Sequence, residues 1–211
     1  MSALKVLELF SPWGNRAIIL ISILLSLLLL GVGPDVPLSY NTLRVVHLLS
    51  FSSWFGTTVW VSFVNGIILF NTLDRENFSR ATAKLFDAYF RFGFLFLAAS
   101  IGSVAGLQSL GVAGQGGGEG ASTLRWSNLA AALGCVLVNL TFLAPKTTAI
   151  MFERARLCKE LGLDRKDPHP EVRKISKKFG MYHGITNLVN LVAMAFGVAH
   201  AFALGMCMTI A

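Results

Sequence analysis

Five side chains with hydrogen-bonding or ionic chemistry interrupt the apolar runs of this 211-residue chain: Asn65, Arg91, Asn139, Asn187 and Asn190. At about 1.5 Å of rise per helical residue, each falls roughly 5 to 10 Å inside the same end of its run, so the five are expected to form a layer. Asp87 precedes Arg91 by one helical turn and can neutralise it, and His183 stands at the edge of the layer. Two chemistries fit. Asparagines at such depth can hydrogen-bond between helices and act as structural glue. Alternatively, an intramembrane charge is costly unless paired or hydrated, which points to a polar vestibule for a solute or proton.

Other chemistry is less developed. His47 and His200 lie in apolar runs, but their estimated depths differ and no ligand spacing joins them, so packing hydrogen bonds are expected. Met151, Met181, Met194, Met206, Met208 and Cys207 are dispersed rather than paired at ligand spacing. Cys135, Cys158 and Cys207 form no CxxC or Cys/His cluster. No metal site and no cofactor are therefore expected. Glu8, Asp35 and Glu119 fall in loops, and no nucleophile triad, phosphate loop or carboxylate pair can be assembled, which argues against an enzyme. The glycines from Gly111 to Gly120 follow no strand and read as a connection, not a nucleotide fingerprint.

The elements that must position these groups are long and apolar. Runs of approximately Ala17 to Val32, Leu43 to Leu73, Leu85 to Val112, Ser127 to Phe152 and Gly184 to Ile210 each approach or exceed the roughly 20 residues that cross a bilayer. With 54% hydrophobic and 14% charged residues, the expected fold is an all-α integral membrane bundle of about five spanning helices. Residues 1–41 form an amino-terminal segment with an additional anchor helix. No clean small-x-small site follows Leu30, so that helix is expected to stay uncleaved. Residues 42–211 form the main helical domain, including a basic connector over 146–183.

The net charge of +7 is one-sided. With five spans, Lys5, Arg16, Arg75, Arg80, Lys84 and ten cations between Lys146 and Lys178 share one side, against Arg44 and Arg125 on the other. Such asymmetry orients a chain and calls for no nucleic acid. The amino terminus is expected on the basic side, the carboxyl terminus opposite, and the Asn77-Phe78-Ser79 sequon unmodified. Within the connector, Val172, Ile175, Phe179 and Tyr182 share a helical face while Arg173, Lys174, Lys177 and Lys178 lie off it. An interfacial amphipathic helix before the last span is expected, facing anionic headgroups of the bilayer or an acidic partner. Two stripes of small residues permit close helix contact, within the chain, by self-association or with a membrane-protein partner. They are Ala98, Gly102 and Gly106 in the third run, and Ala193, Gly197, Ala201 and Gly205 in the last.

The run from His47 through Trp54-Phe55-Gly56 and Val59-Trp60-Val61-Ser62-Phe63 to Leu69-Phe70 resembles the transmembrane protein 205 family. Lys84-Leu85-Phe86 with Tyr89-Phe90, Pro145-Lys146-Thr147-Thr148-Ala149, and Phe179 with Tyr182-His183-Gly184 continue the resemblance in order to about His200, roughly three quarters of the chain. It implies a four-helix core, to which Ala17 to Val32 would be an addition. The family pattern has a glutamate before the proline, where this chain has Ala144, so any role of that carboxylate is absent. The resemblance also implies an association with drug tolerance, notably to platinum compounds, and with secretory trafficking. The expected function is a noncatalytic accessory or structural subunit of a larger membrane assembly; the alternative is a small exporter or trafficking factor linked to drug or metal tolerance. The expected location is an intracellular organelle, a secretory membrane or the mitochondrial inner membrane.

Overall fold

The computed structural model describes residues 40–110, 119–164 and 166–206, with the side chains of 119–125 left out. The anchor segment Ala17 to Val32 and the cysteine at 207 lie outside the described residues. Four helices long and apolar enough to cross a membrane are present among them: α1, Tyr40–Thr72; α2, Arg75–Ser109; α3, whose membrane-length part is Trp126–Leu161; and α4, Pro170–Gly205. At 33 to 36 residues each, they reach about 50 Å, against roughly 30 Å of hydrocarbon. Each therefore projects well beyond the apolar layer.

Local signals set the ends. Leu73 leaves α1 in an extended conformation, and Asp74 starts α2 as its N-cap by accepting from the backbone N–H of Glu76 and Asn77, both at 3.0 Å. These bonds favour the ionised carboxylate. The backbone N–H and then the side chain of Asn77 hold Asp74 below its ordinary range. Asn77 of the sequon thus sits in the first turn of α2, its amide donating to Asp74. At the far end of α3, Gly162 takes φ of 65°, a left-handed conformation that costs glycine little, and Leu163 N–H bonds back to Cys158 O at 2.9 Å. Pro170 opens α4, where its missing donor is no loss.

Two helices widen by one π turn each, α1 at Val61–Asn65 and α3 at Asn139–Leu143. In α3 a cause lies in the sequence. Pro145 has no N–H to offer the preceding turn, and Ala144 N–H reaches five residues back to Asn139 O. α2 is the most enclosed helix and α1 the least. The core lies between them and their partners, built from Phe51, Trp54, Phe90, Phe94, Leu97, Leu129 and Val136. Leu48, Leu49, Phe63, Ile67 and Phe70 point outward from α1, a pattern suited to lipid rather than water.

The described chain differs from expectation at the connector. The segment expected as a separate interfacial helix is the first turns of α4, continuous with its span. Its apolar stripe is turned inward: Val172 and Ile175 are buried, and Arg154 of α3 lies over the Phe179 ring at 4.1 Å. That face is used against the extension of α3 and is not free to lie on a bilayer. Arg173, Lys174, Lys177 and Lys178 remain exposed on the other side. Helix ends also moved, α2 beginning at Arg75 and α4 stopping at Gly205. Arg75 pairs with Asp164, which ties the α1–α2 turn to the α3–α4 connection at the basic end.

Candidate functional site

The polar residues gather in two tiers, separated by aromatic packing. The tier nearer the basic end centres on Tyr89 of α2. Its hydroxyl donates to Asn190 Oδ1 of α4 at 2.7 Å and approaches Thr58 Oγ1 of α1 at 3.2 Å. Asn190 Nδ2 donates to Ser62 Oγ at 3.0 Å, within the π turn of α1. Beside this tier, Asn139 of α3 is wholly enclosed and donates to Thr186 O at 3.3 Å, while the hydroxyls of Thr147 and Thr186 meet at 3.0 Å. The π turn ahead of Pro145 carries that asparagine. Arg91 is 3% exposed and ion-paired to Asp87, which is 35% exposed.

The layer expected from sequence is therefore divided. Asn190 and Asn139 join separate networks, and Asn65 is half-buried with an amide nitrogen that meets no acceptor among the described residues. Asn187 does not belong to either network. It is exposed on α4 and bonds His183, one turn back on its own helix, at 3.1 Å.

The second tier was not expected as a site. His47 of α1 and His200 of α4 face each other with their Nε2 atoms 3.1 Å apart, His200 fully buried and His47 6% exposed. His47 Nδ1 has three oxygens of α2 around it: Ser100 O at 3.1 Å, Ser100 Oγ at 3.0 Å and Ser103 Oγ at 3.3 Å. The expectation that the two histidines lie at different depths is overturned. It arose from a start placed too late on α1, at Leu43, and an end placed too late on α4, at Ile210. With α1 starting at Tyr40 and α4 ending at Gly205, both rings fall about 8 to 10 Å from those ends.

A seal lies between the tiers. Trp54 is 1% exposed and is held between α2 and α4. A Cβ on Gly93 would meet Trp54 Cδ1 at 3.4 Å, and one on Gly197 would stand 2.9 Å from Trp54 Cζ3 and 2.8 Å from Phe55 Cδ2. Glycine at 197 is what lets α1 approach α4. Of the small-residue stripes, Ala98, Gly102, Gly106, Ala193 and Gly197 are buried. Ala201 is partly buried, and Gly205 meets nothing within 4 Å, bordering instead an open apolar groove of about 540 Å³ with Phe55 and Phe202.

Sequence reasoning missed Thr58, Ser62, Tyr89, Ser100, Ser103 and Thr186. Serine and threonine satisfy their own hydroxyls on a preceding turn, as Thr58 does on Trp54 O at 2.8 Å, so their type alone says little. A usable signal was register. His47, Phe51, Trp54 and Thr58 on α1 run antiparallel to His200, Gly197, Ala193 and Asn190 on α4, with nearly equal spacing. Among the described residues no group of three or more His, Cys, Asp or Glu converges to hold a metal.

Comparison with known proteins agrees with this architecture. No solved structure matches the chain. Transmembrane protein 205 of Danio rerio is 26% identical over 169 residues, covering 71% of this chain and 84% of the relative. Residues 49–156 match the family described as a domain of unknown function, DUF4149. That stretch is just over half of the chain and holds α1 from Leu49, all of α2 and most of α3, so this multi-pass membrane protein belongs to the DUF4149 family and is transmembrane protein 205-like.

Proposed function

We propose that this chain is a small, noncatalytic exporter in which the two polar tiers open to opposite sides of the membrane in turn. One observation carries the reading: hydrogen-bonded tiers at Tyr89/Asn190 and at His47/His200 are separated by a seal of Trp54 against Gly197. Structural glue alone asks for no such division. Polar groups in a bilayer interior are costly, and their usual use is a pathway for a solute or ion. The tiers lie ten residues apart on α4, about 15 Å of rise, the histidine tier close to the Tyr40 and Gly205 ends of α1 and α4 and the tyrosine tier about midway along the helices. Thr58→Cys and Ser103→Cys, each placed in a chain with Cys135, Cys158 and Cys207 replaced by alanine and reconstituted in vesicles, should react with a membrane-impermeant maleimide from opposite sides. Protection of both positions from both sides would reduce the tiers to packing contacts.

An accessory-subunit reading has its own support. α1 leaves Leu48, Leu49, Phe63, Ile67 and Phe70 exposed along one helix, a face that another membrane polypeptide can cover as well as lipid. Arg173, Lys174, Lys177 and Lys178, exposed at the basic end, suit anionic headgroups or an acidic partner in either reading. That end faces the cytoplasm, or the equivalent side of an organelle membrane, by the positive-inside rule.

A further inference from the structure

We infer that His47 and His200 form a single proton-binding centre, one hydrogen lying on the axis between their Nε2 atoms and one further proton being taken up and shared by the pair. The inference rests on the exporter reading for its consequence, that the proton is the coupling ion, but its geometry stands independently.

The tautomers follow from the surroundings. Ser100 O can only accept, and its 3.1 Å contact is satisfied when His47 Nδ1 carries hydrogen and donates toward it, with the Ser100 and Ser103 hydroxyl oxygens beside it. Ser103 Oγ spends its own hydrogen on Ser100 O at 2.8 Å and is thereby left as an acceptor toward His47. His47 Nε2 then holds a lone pair, and the 3.1 Å contact requires His200 Nε2–H to donate to it. A proton arriving at His200 Nδ1, the ring nitrogen away from the pair, leaves each ring with a hydrogen on Nδ1 and one hydrogen between the Nε2 atoms. The added charge can reside on either ring. Three oxygens at His47 Nδ1 stabilise it on one side, and the Phe51 ring, 4.8 Å from His200 between centroids, on the other. A second proton would place two cations in contact and is opposed.

Among the described residues, those that line the pair on each helix are uncharged. α2 contributes Ser100, Ser103 and Leu97, and α4 contributes Gly197 and Ala203 on the buried face beside His200. The described residues of α3 enclosed at that end, Asn128, Leu129 and Ala132, are uncharged. Arg44, one turn before His47 on α1, is exposed and stacked on Tyr40 at 5.3 Å. Ligand number, and for a linear ion distance, also separate a proton from a metal. Tetrahedral zinc at about 2.0 Å per nitrogen would set the two nitrogens roughly 3.3 Å apart and needs two more ligands, which no cluster among the described residues provides. A linear two-coordinate ion would need about 4 Å.

The test uses the full chain in nanodiscs with ring-15N histidine, resonances being identified with His47→Gln and His200→Gln and folding checked by thermal melting. As pH falls, both rings should move together through one proton uptake, with the second uptake separated by at least about tenfold in proton concentration. Ser103→Ala, which leaves both rings in place, should weaken the first uptake by about tenfold through loss of an acceptor at Nδ1. Independent titration of the two rings, or an unchanged titration in Ser103→Ala together with either glutamine variant leaving the other ring unaffected, overturns the centre. Displacement of the shared hydrogen by added Zn²⁺ or Ag⁺ at sub-micromolar concentration makes it a metal site and overturns the proton assignment. Concerted titration in a protein whose tiers resist maleimide from both sides upholds the centre while the exporter reading falls; opposite-sided labelling with independent rings does the reverse.

Discussion

Arg91 and Asp87 show how burial decides which half of an ion pair matters. The guanidinium is 3% exposed and the carboxylate 35%, and Asp87 can neutralise itself by taking a proton while Arg91 stays charged. Asp87→Leu removes the carboxylate from a buried cation and should cost about 3–5 kcal/mol. Arg91→Leu leaves a carboxylate that can be neutralised by a proton and should cost less. Replacing both with leucine should recover most of the loss, because a buried pair gives little net stability over apolar packing. Thermal unfolding of the three variants in one detergent checks the order; equal losses in the single and double variants would reject the pair as a simple two-residue unit. The i,i+4 spacing made this pair legible in sequence, since both residues belong to one helix.

At the scale of the helix, close approach depends on one glycine more than on the stripe that contains it. Gly197 stands where a methyl group would be 2.8 to 3.0 Å from the rings of Phe55 and Trp54, whereas Gly205 meets nothing within 4 Å. The Trp54 ring, 1% exposed, is pinned between α2 and α4 and cannot swing aside cheaply. Gly197→Ala should therefore destabilise by about 1–3 kcal/mol through overpacking, and Gly205→Ala should be neutral or slightly stabilising through its better helix propensity. Melting temperatures of the two purified variants settle the contrast, and a tolerated alanine at 197 would show that α1 can move away from α4 at little cost. Spacing every four residues identified the stripe, but the four positions looked alike until Trp54 was seen against one of them.

For the whole molecule, the inside-out pattern is the dominant fact. Large apolar side chains face outward along α1 and α4, while His47, His200, Asn139, Asn190, Ser100, Ser103 and Thr58 lie within. Such a chain is stable only where lipid or another apolar surface covers it. Native mass measurement after gentle extraction separates the two coverings of α1. The exporter reading expects a species containing only this chain, and a stoichiometric second polypeptide recovered reproducibly would move the balance to the accessory subunit.

The sequence by itself determined that the chain spans a membrane, because a hydrocarbon layer of about 30 Å and a rise of 1.5 Å per residue leave few other uses for runs of this length. It also determined where the cations collect and that Asp87 can reach Arg91, since those are properties of a segment or of one helix. Only the tertiary structure decided that His47 meets His200, 153 residues away. The sliding of one helix along another is set by how side chains interlock, here Trp54 against Gly197, and a slip of one turn would move a ring by about 5.4 Å. No local composition carries that register, so two histidines at unrelated positions became one site only when the helices closed around the tryptophan.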